Sequence, residues 1–182
     1  VLLSLELNLF LGYNTRNYGK NIPKYLLGGI AMEIKRDYYL DQLVKRQNNG
    51  LIKIVTGIRR CGKSFLLRTL FKKYLLENGV DEDHIVEMAF DLFDNIEYRD
   101  PKKFYPWAKE QIKDDGRYYF LLDEVQLLGE FVSVLNGLAD KKNCDVYVTG
   151  SNARFLSKDI ATEFGGRGDE IHMYPLSFSE FM

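Results

Sequence analysis

The sequence predicts an α/β fold with three layers, a parallel β-sheet covered by helices on both faces. Two observations carry this reading. Short apolar runs rich in β-branched and aromatic residues recur along the chain, bounded by turn residues and separated by segments of helical period. One of these runs leads into a glycine-rich octet and another ends on two adjacent carboxylates, which suits the carboxyl edge of a parallel sheet.

The element order follows from local chemistry. Residues 1–31, mixed in Leu, Asn, Tyr and Gly without a sustained period, are expected to be a non-native or disordered leader. The first residue is Val, whereas Met32 opens a helix-like segment over residues 33–46 with Ile34, Tyr38, Leu40, Leu43 and Val44 clustered on one side. Gly28-Gly29 just upstream implies the purine-rich codons of a bacterial ribosome-binding site, so residues 32–182 are expected to be the domain. After the turn Asn48-Asn49-Gly50, residues 51–56 read as a buried parallel strand. A helix follows from Lys63 to about Asn78, with Leu66, Leu67, Leu70, Phe71, Tyr74 and Leu75 inward and Gly79 as its stop. Residues 85–90 form the second predicted strand. Asp100-Pro101, a good cap followed by a tolerated first-turn proline, opens a helix to about Lys113 that Pro106 is expected to kink. Residues 118–122, 146–149 and 170–174 are the remaining predicted strands, with helices at 131–138 and 153–164. Ser177-Phe178-Ser179-Glu180 is a capping-box pattern at the end of the chain, so the domain is expected to be truncated there.

Length and composition bound the function. A chain of 182 residues suffices for one substantial core and not for two ordinary domains. Hydrophobic residues at 46% and charged residues at 28% are those of an ordinary soluble globular protein and give no sign of disordered, collagen-like or membrane-spanning classes. Lys plus Arg number 25 against 26 Asp plus Glu, so the net charge of -1 creates no global field for nucleic acid. The two cysteines, Cys61 and Cys144, lack metal-ligand spacing and fit a reducing compartment. Residues 1–12 are leucine-rich but too short and too acidic, with Glu6, for a signal peptide or a span. A cytoplasmic location without membrane contact is expected.

Gly57, Ile58, Arg59, Arg60, Cys61, Gly62, Lys63 and Ser64 match G-x-x-x-x-G-K-[ST] at every fixed position, between a predicted strand and a predicted helix. Glycines let successive backbone N–H groups curl around phosphate oxygens, and the helix terminus adds partial positive charge. The chain from Gly57 to Phe65 is therefore expected to bind the phosphates of a nucleoside triphosphate. Lys63 supplies a full charge to the outer phosphates, and Ser64 offers an oxygen to Mg²⁺. Arg59, Arg60 and Cys61 fill variable positions, where solvated arginines and an inert thiol are expected.

The strand ending at Leu122 delivers Asp123 and Glu124. Asp123 is expected to hold Mg²⁺ through its water shell, and Glu124 to act as general base on the attacking water. Thr149-Gly150-Ser151-Asn152 places small polar groups at a strand end, and Ser151 or Asn152 is expected to sense the γ-phosphate, with a plain helix cap as the alternative for Asn152. Arg167, within Gly165-Gly166-Arg167-Gly168, is a candidate arginine finger, with a surface turn as the alternative.

Together these residues resemble the bacterial and archaeal ATPases of the AAA superfamily that carry a C-terminal domain of unknown function. The resemblance spans Met32 to Met182 and is carried by Gly57 to Ser64, Leu122-Asp123-Glu124-Val125-Gln126, Val148-Thr149-Gly150-Ser151-Asn152-Ala153-Arg154, Gly166-Arg167 and Pro175-Leu176-Ser177-Phe178-Ser179-Glu180-Phe181. It implies a P-loop NTPase fold of the additional-strand, catalytic-glutamate type, sheet order 5-1-4-3-2. It further implies adenine recognition near residues 34–39, and an Arg167 that acts on the nucleotide of a neighbouring subunit in a homo-oligomer. The leading expectation is Mg²⁺-dependent ATP hydrolysis powering a conformational or assembly switch, with turnover that depends on a C-terminal region or partner. The alternative is a nucleotide-gated binding module for DNA or a protein effector, with little intrinsic turnover. Glu124 weakens a small-molecule kinase reading, and the lack of an Asn-Lys-x-Asp motif disfavours GTP.

Overall fold

In the computed structural model, residues 36–151 and 164–176 are described. The leader expected at residues 1–31, the start of the first helix, Asn152, all but the last residue of the helix expected at 153–164, and the capping-box pattern of Ser177 lie outside them; Phe164 itself is in a turn and buried.

Five strands form one parallel sheet: β1 (Ile52–Thr56), β2 (Ile85–Ala89), β3 (Tyr118–Asp123), β4 (Cys144–Thr149) and β5 (Gly168–His172). Their spatial order is β2-β3-β4-β1-β5. Read from the other edge, this is the 5-1-4-3-2 order that the resemblance implies. The three inner strands β3, β4 and β1 are buried along their whole length, which suits their mainly apolar sequences and forces the buried Lys53 and Asp145 to find partners. β5, at an edge, keeps Glu170 and His172 exposed and alternates more.

Side chains alternate between the two faces. Val55, Tyr119, Leu121 and Tyr147 meet α1 (Asp37–Lys45) and α2 (residues 63–77), while Ile54, Phe120, Leu122 and Val148 meet α3 (Pro101–Glu110) and α4 (Phe131–Ala139). The second helix begins with Lys63–Phe65, passes through a π-helical stretch, Leu66–Phe71, and finishes as Lys72–Glu77. Gly79 ends it as expected. At φ +84° it lets its own N–H bond Leu76 O at 3.2 Å while Val80 N bonds Leu75 O at 3.0 Å, a Schellman closure. The Asp100 side chain caps α3 by accepting from Lys102 N at 2.9 Å. The helix runs through Pro106 and stops at Glu110, earlier than the apolar pattern implied.

β4 starts two residues before the predicted 146, at Cys144, because Asp145 is buried although charged. Its carboxylate is bonded by Lys53 Nζ, by Tyr147 OH at 2.8 Å and by Asn48 N at 2.9 Å, an internal ion pair that composition conceals. The register sets Val55 beside Thr149, Leu122 beside Val148 and Ala89 beside Asp123. The carboxyl ends of β1, β3 and β4 therefore open side by side, and the loops that leave them form the site.

Candidate functional site

The octet after β1 is a tight loop. Gly57 (φ +142°), Arg60 (φ +68°) and Gly62 (φ +97°) take backbone angles that L side chains rarely adopt. At Gly57 the reason is steric as well, since a Cβ there would lie 2.2 Å from Met173 O. The first bond of α2 runs from Leu66 N to Gly62 O at 2.9 Å, so the N–H groups of Lys63, Ser64 and Phe65 form its open end. Lys63, only 4% exposed, folds over the loop and donates to Gly57 O at 3.1 Å and Ile58 O at 3.0 Å. These neutral carbonyls leave its charge uncompensated by any carboxylate in those bonds, which suits an incoming polyanion. Arg59 and Arg60 are exposed, and Cys61 is buried as a free thiol.

Asp123, 3% exposed, accepts from Ser64 Oγ at 3.0 Å and from Thr149 Oγ1 on the same oxygen, Oδ1. Burial pushes its carboxyl above the usual carboxylate range, with Glu124 adding to the effect and the two hydroxyls and Arg68 opposing it. A hydroxyl and a carboxylate converging beside a phosphate loop are the hard oxygen donors Mg²⁺ prefers, so Ser64 and Asp123 fit that ion and would hold it; bound there, it would neutralise phosphate charge.

Glu124 adopts a left-handed backbone (φ +53°) directly after β3, a conformation uncommon for a non-glycine residue. Its N–H bonds Thr149 Oγ1 at 3.0 Å, so one threonine hydroxyl links the two acids. The Glu124 carboxylate is held on Oε2 by Ser151 Oγ at 2.7 Å and by Gln126 Nε2. The fold thus brings Gly57 to Ser64, Asp123, Glu124 and Ser151 together. Sequence reasoning gave Thr149 and Gln126 no individual role, although both lie inside the motifs it singled out; a threonine closing an otherwise apolar strand was the available signal.

Arg167 is not brought to this site. Its carbonyl accepts from Ile52 N at 2.8 Å, at the opposite end of β1 from Gly57, and its guanidinium pairs with Asp140 on the surface. Within one chain Arg167 therefore belongs to the amino edge of the sheet. Among the described residues no helix is long and apolar enough to cross a membrane.

At the other side of the loop, α1 is tied to the chain beyond β5. The buried Arg36 donates to Tyr174 O at 2.6 Å and lies over the Tyr39 ring, and Tyr174 N donates to Tyr39 OH at 3.1 Å. Arg36 and Tyr39 are thus tied to Tyr174, next in sequence to Met173, the residue against Gly57 and Gly62.

Comparison with known proteins bears on the family and the fold. An uncharacterised protein of Haemophilus influenzae is 37% identical over 150 residues, which cover 82% of this chain and 37% of the relative. An uncharacterised protein of Methanocaldococcus jannaschii is 27% identical over 135 residues, covering 72% of this chain and 28% of the relative. The chain thus spans only 37% and 28% of the lengths of these two relatives. Among solved structures, Cdc6p from Pyrobaculum aerophilum superposes with a TM-score of 0.57 at 15% identity, covering 89% of this chain and 49% of that one. PCH-2 from C. elegans gives 0.51 at 16% identity, covering 76% and 41%. At such identities these two show the fold alone. The AAA domain family matches residues 49–182, a stretch that includes the phosphate loop, both acids and all five strands, and the chain belongs to that family.

Proposed function

We propose that this chain binds ATP with Mg²⁺ and hydrolyses it to drive a conformational or assembly switch. The observation that carries the reading is the bond from Ser64 to Asp123, with Glu124 next in sequence and turned by its own backbone toward Ser151. Lys63 and the amides from Gly57 to Phe65 bind phosphate. Glu124 takes the proton of the attacking water, and Ser151 orients the Glu124 carboxylate. Ser151 touches the general base, so it is assigned to positioning, and γ-phosphate sensing is left to Asn152.

Arg167, half exposed at the amino edge, fits a role in trans, completing the site of a neighbouring copy in a homo-oligomer. The remaining length of the relatives, the effector and a cytoplasmic setting belong to the same reading: a protein or DNA partner engages the switch through regions beyond this domain. Replacing Glu124 with Gln tests the chemistry. ATP binding is expected to persist while phosphate release is lost; hydrolysis at the original rate removes Glu124 from its role. Phosphate release measured with and without DNA separates the switch from a nucleotide-gated binder, which shows ATP binding without turnover in either case.

A further inference from the structure

Thr149 closes β4 and is fully buried, yet it carries a hydroxyl, and that hydroxyl is employed as both donor and acceptor. Its one hydrogen is donated to Asp123 Oδ1, and its oxygen accepts from Glu124 N at 3.0 Å. One small group therefore serves a buried carboxylate and the backbone of the next residue at once, within the single donor and two lone pairs that a hydroxyl offers.

The two sides of this bridge differ in kind. On one side lies Asp123 Oδ1, which also accepts from Ser64 Oγ at 3.0 Å, so Thr149 adjoins the donor pair that fits Mg²⁺. On the other side it holds a backbone, not a carboxylate. Glu124 stands at φ +53° and ψ +48°, left-handed angles that a non-glycine residue keeps only where its surroundings fix them. From that turn the Glu124 carboxylate reaches Ser151 Oγ at 2.7 Å. The bridge itself has little freedom, because threonine is stiff at χ1, Thr149 pairs with Val55 of β1, and Gly150 N bonds Val55 O at 3.2 Å. At 0% exposure Thr149 meets neither solvent nor nucleotide, so it acts on ligands only through the two acids.

We propose that Thr149 is a positioning residue that locks the Asp123 carboxylate and the Glu124 backbone into one geometry, so that the metal site and the general base are built or lost together. This rests on the roles proposed above for Ser64, Asp123 and Glu124. Rotating the Asp123 carboxyl, or relaxing Glu124 out of its left-handed turn, each breaks a bond to the same oxygen. Groups that orient a metal-binding carboxylate from behind typically change metal affinity or activity by about 10- to 100-fold when removed. Here the same removal also frees the backbone that aims the base.

The test compares Thr149→Val, which keeps the branched shape without the hydroxyl, with Thr149→Ser, which keeps the hydroxyl, in the protein at its natural length. Two quantities are read: the Mg²⁺ concentration that half-saturates binding of a fluorescent ATP analogue, and the single-turnover hydrolysis rate. Thr149→Val is expected to raise the first about 10- to 100-fold and to lower the second by a similar factor. Binding of the analogue without Mg²⁺ should stay within about twofold, because Lys63 and the loop amides are left in place. Thr149→Ser should restore both quantities. The melting temperature of Thr149→Val is expected to fall, since the Glu124 N–H loses its acceptor, but a residue serving the fold alone would leave the Mg²⁺ requirement of the folded protein unchanged. An unchanged Mg²⁺ requirement in Thr149→Val overturns the proposal, as does an equal loss in Thr149→Ser. In an active protein, a change in only one of the two quantities refutes the coupling. If neither Thr149→Val nor Thr149→Ala folds, Thr149 belongs to the fold and the proposal fails. If the unsubstituted protein binds ATP without turnover, the hydrolysis reading fails by itself, and the Mg²⁺ requirement then decides this proposal.

Discussion

Gly57→Ala and Gly79→Ala form a matched pair, because both glycines have positive φ but only one has a neighbour. At Gly79 (φ +84°) a Cβ meets nothing within 4 Å, so the alanine bears only the left-handed backbone penalty, about 1–2 kcal/mol. At Gly57 (φ +142°) the Cβ lies 2.2 Å from Met173 O and 3.0 Å from Cys61 Sγ. The first of these is more than an ångström inside ordinary contact, and its partner is backbone, which cannot rotate away. Relief requires moving the end of β5, where Met173 N bonds Thr56 O at 2.8 Å. Strain of about 1–3 kcal/mol at a glycine-only conformation, plus about 1 kcal/mol for that bond, predicts a loss of about 2–4 kcal/mol. For a domain of this size that lowers the melting temperature by roughly 4–16 °C. Urea denaturation of both variants measures the difference, and titration with a fluorescent ATP analogue should show weakened binding only for Gly57→Ala, since only that loop is proposed to hold phosphate. Equal stability of the two variants with equal ATP affinity would refute the steric argument and the placement of Met173 against the loop.

Two further outcomes follow from buried charge. Asp123→Asn should stabilise the nucleotide-free protein at neutral pH by about 0.5–2 kcal/mol while abolishing Mg²⁺-dependent ATP binding. The folded-state carboxyl titrates above its ordinary value of 3.8, so the stability linked to its protonation is complete below that value and disappears as pH rises through the raised one. Thermal melts from acid to neutral pH should therefore show a component that Asp123→Asn removes, and a variant less stable than the original at pH 7 contradicts this. Lys53→Met should destabilise by about 3–5 kcal/mol, since Asp145 is left buried with only the Tyr147 hydroxyl and the Asn48 N–H. Adding Asp145→Leu to Lys53→Met should recover much of the loss in a double-mutant cycle, and additive losses would sink the ion-pair account.

The strand, glycine loop and helix were legible in the sequence because each has a local cause. An unbroken apolar run needs burial on both faces, glycines permit the loop's backbone angles, and Gly79 stops the helix. The strand order came from resemblance to a family, since nothing in the spacing of five apolar runs says which lie side by side. The edge strand and the 3₁₀ segment Phe93–Arg99 were the weakest to read, their residues being held by contacts from elsewhere, such as Asn95 Nδ2 to Ala89 O at 2.9 Å and Arg99 Nε to Phe90 O at 2.7 Å.

For the site, sequence alone singled out the candidates for phosphate and metal, because Gly57, Gly62, Lys63, Ser64, Asp123 and Glu124 are specified by chemical type at defined positions relative to strand ends. Tertiary structure decided the rest. That Thr149 joins the two acids depends on β4 lying between β1 and β3. That Arg167 stands at the far end of β1 depends on the parallel register of β5. That Gln126 and Ser151 share one oxygen of Glu124 depends on a left-handed turn at Glu124. Hydrogen bonds between residues distant in the chain are set by how strands pair, and pairing is a property of the folded sheet that no single strand encodes.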